Sequence, residues 1–345
     1  MAADWVASLP MYDFPELQDA HDALWGALAA RLATAGLTDV PRALTRGATL
    51  PQVWGSPRLL FGQGCEYPLA KRFGDRVRVV AHPVYAAAGC EGPRYRSAIV
   101  VRRVAHAARP VATLGVRGGP DDVTVAGEGG CTVEADVTPG AEVADGVVNP
   151  EARVGAGGGE GAHRGPEAIV GQHAAPALNQ LRGQRCVVNE LDSNSGMNLL
   201  RAAIAPLAKV APLDKVEPFF SSVAVSGSHL RSVEMVASGE ADVAAIDCVS
   251  FAHFQRLYPS LVAGVRVLSW TASTPSLPYI TAGTASDDIV QALRAAIAHV
   301  FDDNGLAQVR ERLLLRGVDL SPKEGFGEVL NTERAAVISG YPILR

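Results

Sequence analysis

Short apolar runs alternate with helix-spaced amphipathic runs along this chain, stop between about Ala105 and Ala175, and then resume. Trp5 to Leu9, Leu59 to Phe61, Val77 to Ala81 and Ser97 to Val101 read as buried strands. Pro15 to Ala35 reads as a helix, with Leu17, Leu24, Leu28 and Leu32 on one face and Gly36 as its stop. After the break come a strand at Arg185 to Val188, a helix over 196–208 and a strand at Val223 to Val225. A helix at Leu230 to Ala237, a strand at Asp242 to Ile246, a helix at Ser250 to Tyr258 and a strand at Val265 to Trp270 follow. Leu277 to Thr281 is extended, and Ile289 to Phe301 and Leu306 to Leu315 are helical. Alternation of this kind predicts α/β layers around a largely parallel sheet.

The interrupting tract is rich in Gly, Ala, Pro and acidic residues. It reads as a flexible insertion or linker, with a small hairpin at Val123 to Val125 and Thr132 to Val137. Gly157-x-Gly159-x-x-Ala162 matches a dinucleotide fingerprint in form only: no apolar strand precedes it and no helix follows. No cofactor is therefore expected.

Charge and cysteine usage narrow the function. The net charge of −5 argues against nucleic acid as a partner, because phosphate backbones need a basic surface. No apolar run reaches about 18 residues, so no membrane span is expected. The N-terminus has neither a basic region nor an apolar core of the secretory type, so the chain as it stands reads as cytoplasmic, or as periplasmic if a leader is missing. The five cysteines, Cys65, Cys90, Cys131, Cys186 and Cys248, form no Cys-x-x-Cys, and the histidines do not cluster at metal-ligand spacing.

Chemistry concentrates just past strand ends. Asp192-Ser193-Asn194-Ser195-Gly196 sits where a strand hands over to a helix. Free backbone N–H groups and the helix dipole point outward there, so the turn is suited to an anion. Ser193, Asn194 and Ser195 add side-chain donors, and Gly196 permits close approach. Ordinary helix capping favours the same residues. Ser226-Gly227-Ser228-His229 and Asp247-Cys248 also follow strands, as do Tyr12, Tyr67 and Tyr85. In open α/β sheets ligands bind at this end. For His229 the alternative is a merely satisfied hydrogen-bonder, for Asp247 an Asx turn, and for Tyr12 and Tyr85 the edge of a core.

The order of these elements resembles the phosphate/phosphite/phosphonate-binding group of ABC-transporter substrate-binding proteins, of the PhnD-like type. Ala7-Ser8-Leu9-Pro10-Met11-Tyr12, Gly64-Cys65-Glu66-Tyr67-Pro68-Leu69, Pro83-Val84-Tyr85 and Tyr95-Arg96-Ser97 carry the likeness in the first part. The turn Asp192 to Gly196, Ser226 to His229, and Ala241 to Asp247 carry it in the second. The likeness spans roughly residues 4–103 and 180–345. It implies a two-lobed type II periplasmic-binding-protein fold: 1–103 with 274–345 as one lobe, 179–273 as the other, and 104–178 as an insertion. It further implies a small oxyanion held between lobes by Ser193, Asn194, Ser195 and Gly196. Tyr12, Tyr67, Tyr85, His229 and Asp247 complete the ligand set the resemblance implies. The implied partner is an ABC-transporter permease, and the implied protein is not an enzyme. The alternative is an enzyme or sensor on the same scaffold, acting on a phosphorylated or pyrimidine-like metabolite.

Overall fold

The computed structural model describes residues 5–103, 176–208, 217–322 and 325–345. The hairpin expected at Val123 to Val125 and Thr132 to Val137, and the expected insertion up to residue 175, lie outside the described residues. Residues 176–179 begin a helical turn, and Leu178 and Leu181 are buried in a core.

Two five-stranded sheets and a short ribbon organise the described chain. The first sheet contains β1 (Val6–Ser8), β2 (Leu59–Gln63) and β3 (Val77–Tyr85). The ribbon pairs β4 (Arg94–Tyr95) with a later strand, and β5 (Ser97–Arg102), β6 (Arg185–Val188), β7 (Ser222–Val225), β8 (Val243–Asp247) and β9 (Val265–Trp270) make the second sheet. The chain then returns through β10 (Thr274–Pro275), the ribbon partner of β4, to β11 (Tyr279–Ala282) and β12 (Leu315–Asp319). The order is β1-β2-β11-β3-β12 in the first sheet and β7-β6-β8-β5-β9 in the second.

The expectation of a largely parallel sheet is corrected here. In the first sheet only β1 and β2 run parallel; β11 is antiparallel to both β2 and β3, and β12 is antiparallel to β3. In the second sheet β6 is parallel to β7 and β8, while β5 is antiparallel to β8 and β9. Returning strands from distant sequence cause this. β11 is buried along its whole length, like a central strand of either direction, so its residues do not record which way it points.

The helix Gln18–Thr34 buries Ala20, His21, Leu24, Trp25, Leu28 and Leu32 against the first sheet. Trp25 lies stacked on Phe61, with ring centroids 5.9 Å apart. Gly36, at φ 92°, supplies the left-handed step that ends the helix. The helix Asp287–Asp302 covers the same sheet; Ser286 caps it by accepting from the Ile289 N–H, and Asp287 and Asp288 complement its dipole. The expected helix Leu306 to Leu315 is shorter, at Ala307–Arg312, and Leu314 turns at φ 58° into β12. The C-terminal helix Gly327–Ile338 delivers Ala336, Tyr341 and Leu344 to the core of the second sheet, beside Cys186, Leu200 and Ile204.

Candidate functional site

The Asp192 to Gly196 turn follows β6 directly. Ser193 has extended backbone geometry and caps the next turn: its Oγ accepts from the Gly196 N–H at 3.0 Å. Residues Asn194–Asn198 then make one wide turn in which the Leu199 N–H reaches the Asn194 carbonyl, before the regular helix Leu199–Ile204. Such wide turns often mark functional positions. Ser193, Asn194, Ser195 and Gly196 are all buried. The Ser193 and Ser195 hydroxyls lie 3.4 Å apart, and Ser97 on β5 donates to the Ser195 carbonyl at 2.9 Å.

Gly196 is required by crowding. A Cβ there would sit 1.8 Å from Asn189 Oδ1 and 3.3 Å from His229 Cε1. The Asn189 carboxamide at the end of β6 thus occupies the space any side chain would need.

His229 begins the helix His229–Ser238, which Ser228 caps by accepting from the Arg231 N–H. Its Nε2 lies 2.9 Å from Ser195 Oγ, whereas its buried Nδ1 has no hydrogen-bond partner among the described residues. Either tautomer therefore leaves one ring nitrogen unsatisfied. Burial lowers its pKa to about 4, so the ring is neutral at pH 7.

Asp247 ends β8 and caps the helix Cys248–Leu257. Its Oδ1 accepts from the Val249 and Ser250 N–H groups at 2.8 and 2.9 Å, and its Oδ2 accepts from the Tyr12 hydroxyl at 3.0 Å. Three donors favour the carboxylate, yet burial dominates and pushes its pKa up to about 6. Tyr12 reaches it from the first sheet with a strained backbone, φ 63°, in a region L-residues other than Asn and Asp rarely occupy. The strain is held in place by contacts on three sides. His21 Nε2 lies 3.2 Å from the Tyr12 carbonyl, Tyr85 packs edge-on at 5.4 Å, and the hydroxyl is fixed by Asp247.

The other expected tyrosines have firm partners. Tyr85 is buried, and its hydroxyl accepts from Gln63 Nε2 at 2.9 Å. Tyr67 donates to Glu333 Oε1 at 2.8 Å, and Lys71 holds the same carboxylate at 3.0 Å. The structure thus gathers Ser193, Ser195 and His229, joins Tyr12 to Asp247 and Tyr85, and ties Tyr67 to the C-terminal helix.

A relay behind the turn was not expected from sequence. Arg201 Nη2 donates to Asn198 Oδ1 at 2.6 Å, and Asn198 Nδ2 donates to Asn194 Oδ1 at 2.9 Å. This fixes which end of each carboxamide faces which way. Asn194 Nδ2 is left to approach Tyr95 Oη and Thr274 Oγ1, each at 3.4 Å, and these two residues face each other across the ribbon. The signal lay in spacing: Asn194, Asn198 and Arg201 are i, i+4 and i+7, one face of a helix. Cys65, too, touches the turn, its sulfur accepting from the Asn194 N–H at 3.4 Å.

The cluster is packed. A void of only about 10 Å³ lies beside Tyr12, His21, Gln63 and Tyr85. A cavity of about 760 Å³ opens instead along β3, among Arg78, Asp287 and Arg294, and no residue of the turn lines it. Among the described residues, no group of three or more His, Cys, Asp or Glu side chains is placed to hold a metal ion. Nor is any described helix long and apolar enough to cross a membrane.

A family model described as "ABC transporter, phosphonate, periplasmic substrate-binding protein" matches residues 59–321. No curated protein matches the chain. Among solved structures, the chain is similar to PhnD1 from Prochlorococcus marinus in complex with methylphosphonate. The TM-score is 0.58 at 12% identity, over 96% of this chain and 97% of that one. It is similar to a binding-protein component of an ABC phosphonate transporter from Pseudomonas aeruginosa, with TM-score 0.56 and 11% identity, over 98% and 87%. It is also similar to a Xanthomonas citri protein bound to chloride ion, with TM-score 0.57 and 13% identity, over 97% and 98%. These structural likenesses show the periplasmic-binding-protein fold. The family match shows more: the chain belongs to the phosphonate ABC-transporter substrate-binding protein family, whose description is periplasmic. That description gives no support to the cytoplasmic placement expected from the N-terminus.

Proposed function

We propose, with that membership as premise, that this protein captures a phosphonate or closely related phosphorus oxyanion at the Ser193–Gly196 turn and delivers it to an ABC-transporter permease. The observation that carries the reading is the neutral polar cluster itself. Two buried hydroxyls lie side by side, one of them against a half-buried imidazole whose buried Nδ1 has no partner among the described residues. Groups of this kind can re-aim their hydrogens toward an oxyanion without importing a counter-charge. Hydrogen bonds to a charged group are worth about 1.5–3 kcal/mol each, so a few suffice for tight capture.

Asp247 adds selectivity in this reading. A carboxylate repels a fully ionised oxyanion but accepts from one that still carries a proton. Its pKa of about 6 also lets it take up a proton itself in mildly acidic solution. The serines of the turn and Asp247 are buried and His229 is half-buried, so entry to the serines requires the covering elements to part, and closure around ligand is the proposed cycle.

The non-catalytic reading is supported by one geometric fact. Ser195 and His229 are spaced like a nucleophile and its base, but among the described residues nothing orients His229 through Nδ1. A hydroxyl nucleophile needs that third group to hold the base in the working tautomer. Titration calorimetry with methylphosphonate, aminoethylphosphonate, phosphite, phosphate and sulfate tests the proposal, with mass spectrometry of the recovered ligand. The expected result is micromolar or tighter binding of at least one phosphorus oxyanion, weaker sulfate binding, and an unchanged ligand. No binding of any phosphorus oxyanion, or a converted ligand, would overturn it.

A further inference from the structure

We infer that Cys90 and Cys248 form a redox-active pair, which closes to a reversible disulfide between the segment joining β3 to β4 and the helix that Asp247 caps. The two sulfurs are 3.4 Å apart although 158 positions separate them in sequence. A disulfide bond is about 2.05 Å long, so a small side-chain rotation brings them within bonding distance.

The approach is built into the backbone. Gly89, at φ 98°, takes a conformation that L side chains rarely adopt, and a Cβ there would lie 2.8 Å from the Trp270 ring and 3.1 Å from Cys248 Cβ. Only glycine lets this segment lie so close. Cys90 is held in a turn by its N–H bond to the Ala87 carbonyl at 3.0 Å, and Cys248 by its N–H bond to the Arg96 carbonyl at 3.1 Å. The remaining described cysteines are placed differently: Cys186 is buried in the second-sheet core and Cys65 faces the Asn194 N–H.

Exposure sets the order of events. Cys90 is half-buried and Cys248 is buried, so a small-molecule disulfide such as oxidised glutathione meets Cys90 first. The Cys90 thiol loses its proton and its sulfur attacks the disulfide, forming a mixed disulfide and releasing one glutathione thiolate. The Cys248 thiol then loses its proton and its sulfur attacks Cys90 Sγ, expelling the second glutathione. Two protein thiols are oxidised and one glutathione disulfide is reduced to two thiols. The hydrogen bond with Cys90, and burial, raise the Cys248 thiol pKa, consistent with its acting second. The product ties a segment leaving the first sheet to the helix behind Asp247.

The test uses the full native chain incubated with oxidised glutathione, alkylated, and digested without reductant for peptide mapping. The expected result is loss of two of the five thiols and one cross-linked peptide pair joining Cys90 to Cys248, both reversed by dithiothreitol. Cys65→Ser and Cys186→Ser should keep the cross-link, and Cys90→Ser and Cys248→Ala should lose it. A glutathione adduct that persists on Cys90 without closing, no thiol loss, or pairing of Cys90 with another cysteine would overturn the inference. Mapping in the wild-type protein decides the matter even if a variant fails to fold.

Discussion

Replacing Asp247 with Asn should remove a specific, calculable part of this protein's pH dependence. Burial raises the Asp247 carboxyl from its ordinary 3.8 to about 6, against the pull of Tyr12, Val249 and Ser250. Between those two values the folded protein holds a proton that the unfolded chain has already released. Unfolding stability therefore falls as pH rises through that window. At 1.36 kcal/mol per pKa unit, the loss is about 3 kcal/mol by pH 7. Asn carries no titrating proton and lacks this loss. It keeps the cap, because its Oδ1 accepts from the Val249 and Ser250 N–H groups, and its Nδ2 can donate to the Tyr12 hydroxyl. Other groups titrate nearby. His229 and His253 are lowered to about 4, chiefly by burial, and make stability rise with pH from about 4 to 6.5; Glu66, raised to about 8 by burial, makes it fall toward pH 8. These trends are common to both proteins and cancel in the difference. The assay is urea unfolding of ligand-free wild type and Asp247→Asn at each pH unit from 4 to 8. The stability of the variant minus that of wild type should climb by about 2 kcal/mol between pH 4 and 7, then level off. A difference that stays flat with pH would refute the reasoning.

Tyr12→Phe should cost about 1.5–3 kcal/mol at pH 8, where Oδ2 of an ionised Asp247 loses its donor, and less at pH 4.5, where the carboxyl is protonated; urea unfolding at the two pH values compares them. Gly196→Ala should destabilise the fold by more than about 2 kcal/mol, because the new methyl must displace the Asn189 carboxamide; a melting temperature within a degree of wild type would contradict the packing argument. Ser195→Ala should weaken methylphosphonate binding roughly ten- to a hundredfold in calorimetry, the value of one hydrogen bond to a charged group. Equal affinities would remove Ser195 from the proposed site.

The strand–turn–helix at 185–204 was legible because local rules govern it. An apolar run, a Ser N-cap and an amphipathic face sit next to one another in sequence, so propensity and tertiary structure agree. The direction of β11 was not legible. Its side chains are buried on both faces, and nothing within Tyr279–Ala282 records that the chain arrives from the second sheet. Tyr67 shows the same limit for a side chain. Its position after β2 suggested a ligand-facing hydroxyl, yet Glu333, from the far end of the chain, is what meets it. Gly196 lies between these cases. The sequence marked it as a place where something must come close, and the structure supplies Asn189 and His229 at that spot.

The electrostatics of the cluster depend on burial, which no local pattern records. Read from sequence, His229 is an ordinary titrating histidine and Asp247 an ordinary carboxylate. Packed as they are, burial moves both toward neutrality, lowering one pKa and raising the other. Two cations are tied to the turn and neither bonds to the serines: Arg72 is paired with Asp192, and Arg201 acts through Asn198 on the orientation of Asn194. The turn therefore has hydroxyls, carboxamides and backbone N–H groups to offer an anion, and its selectivity must rest on the number and direction of hydrogen bonds. That is the physical reason to expect a tetrahedral oxyanion carrying a proton to be favoured over sulfate, which has none to give Asp247. Raising the ionic strength should weaken such binding far less than it would at a surface arginine cluster, because buried groups are poorly screened. Calorimetry of methylphosphonate at low and high sodium chloride measures this directly. A steep loss of affinity with salt would place the ligand at an exposed cationic surface and away from the Ser193–Gly196 turn.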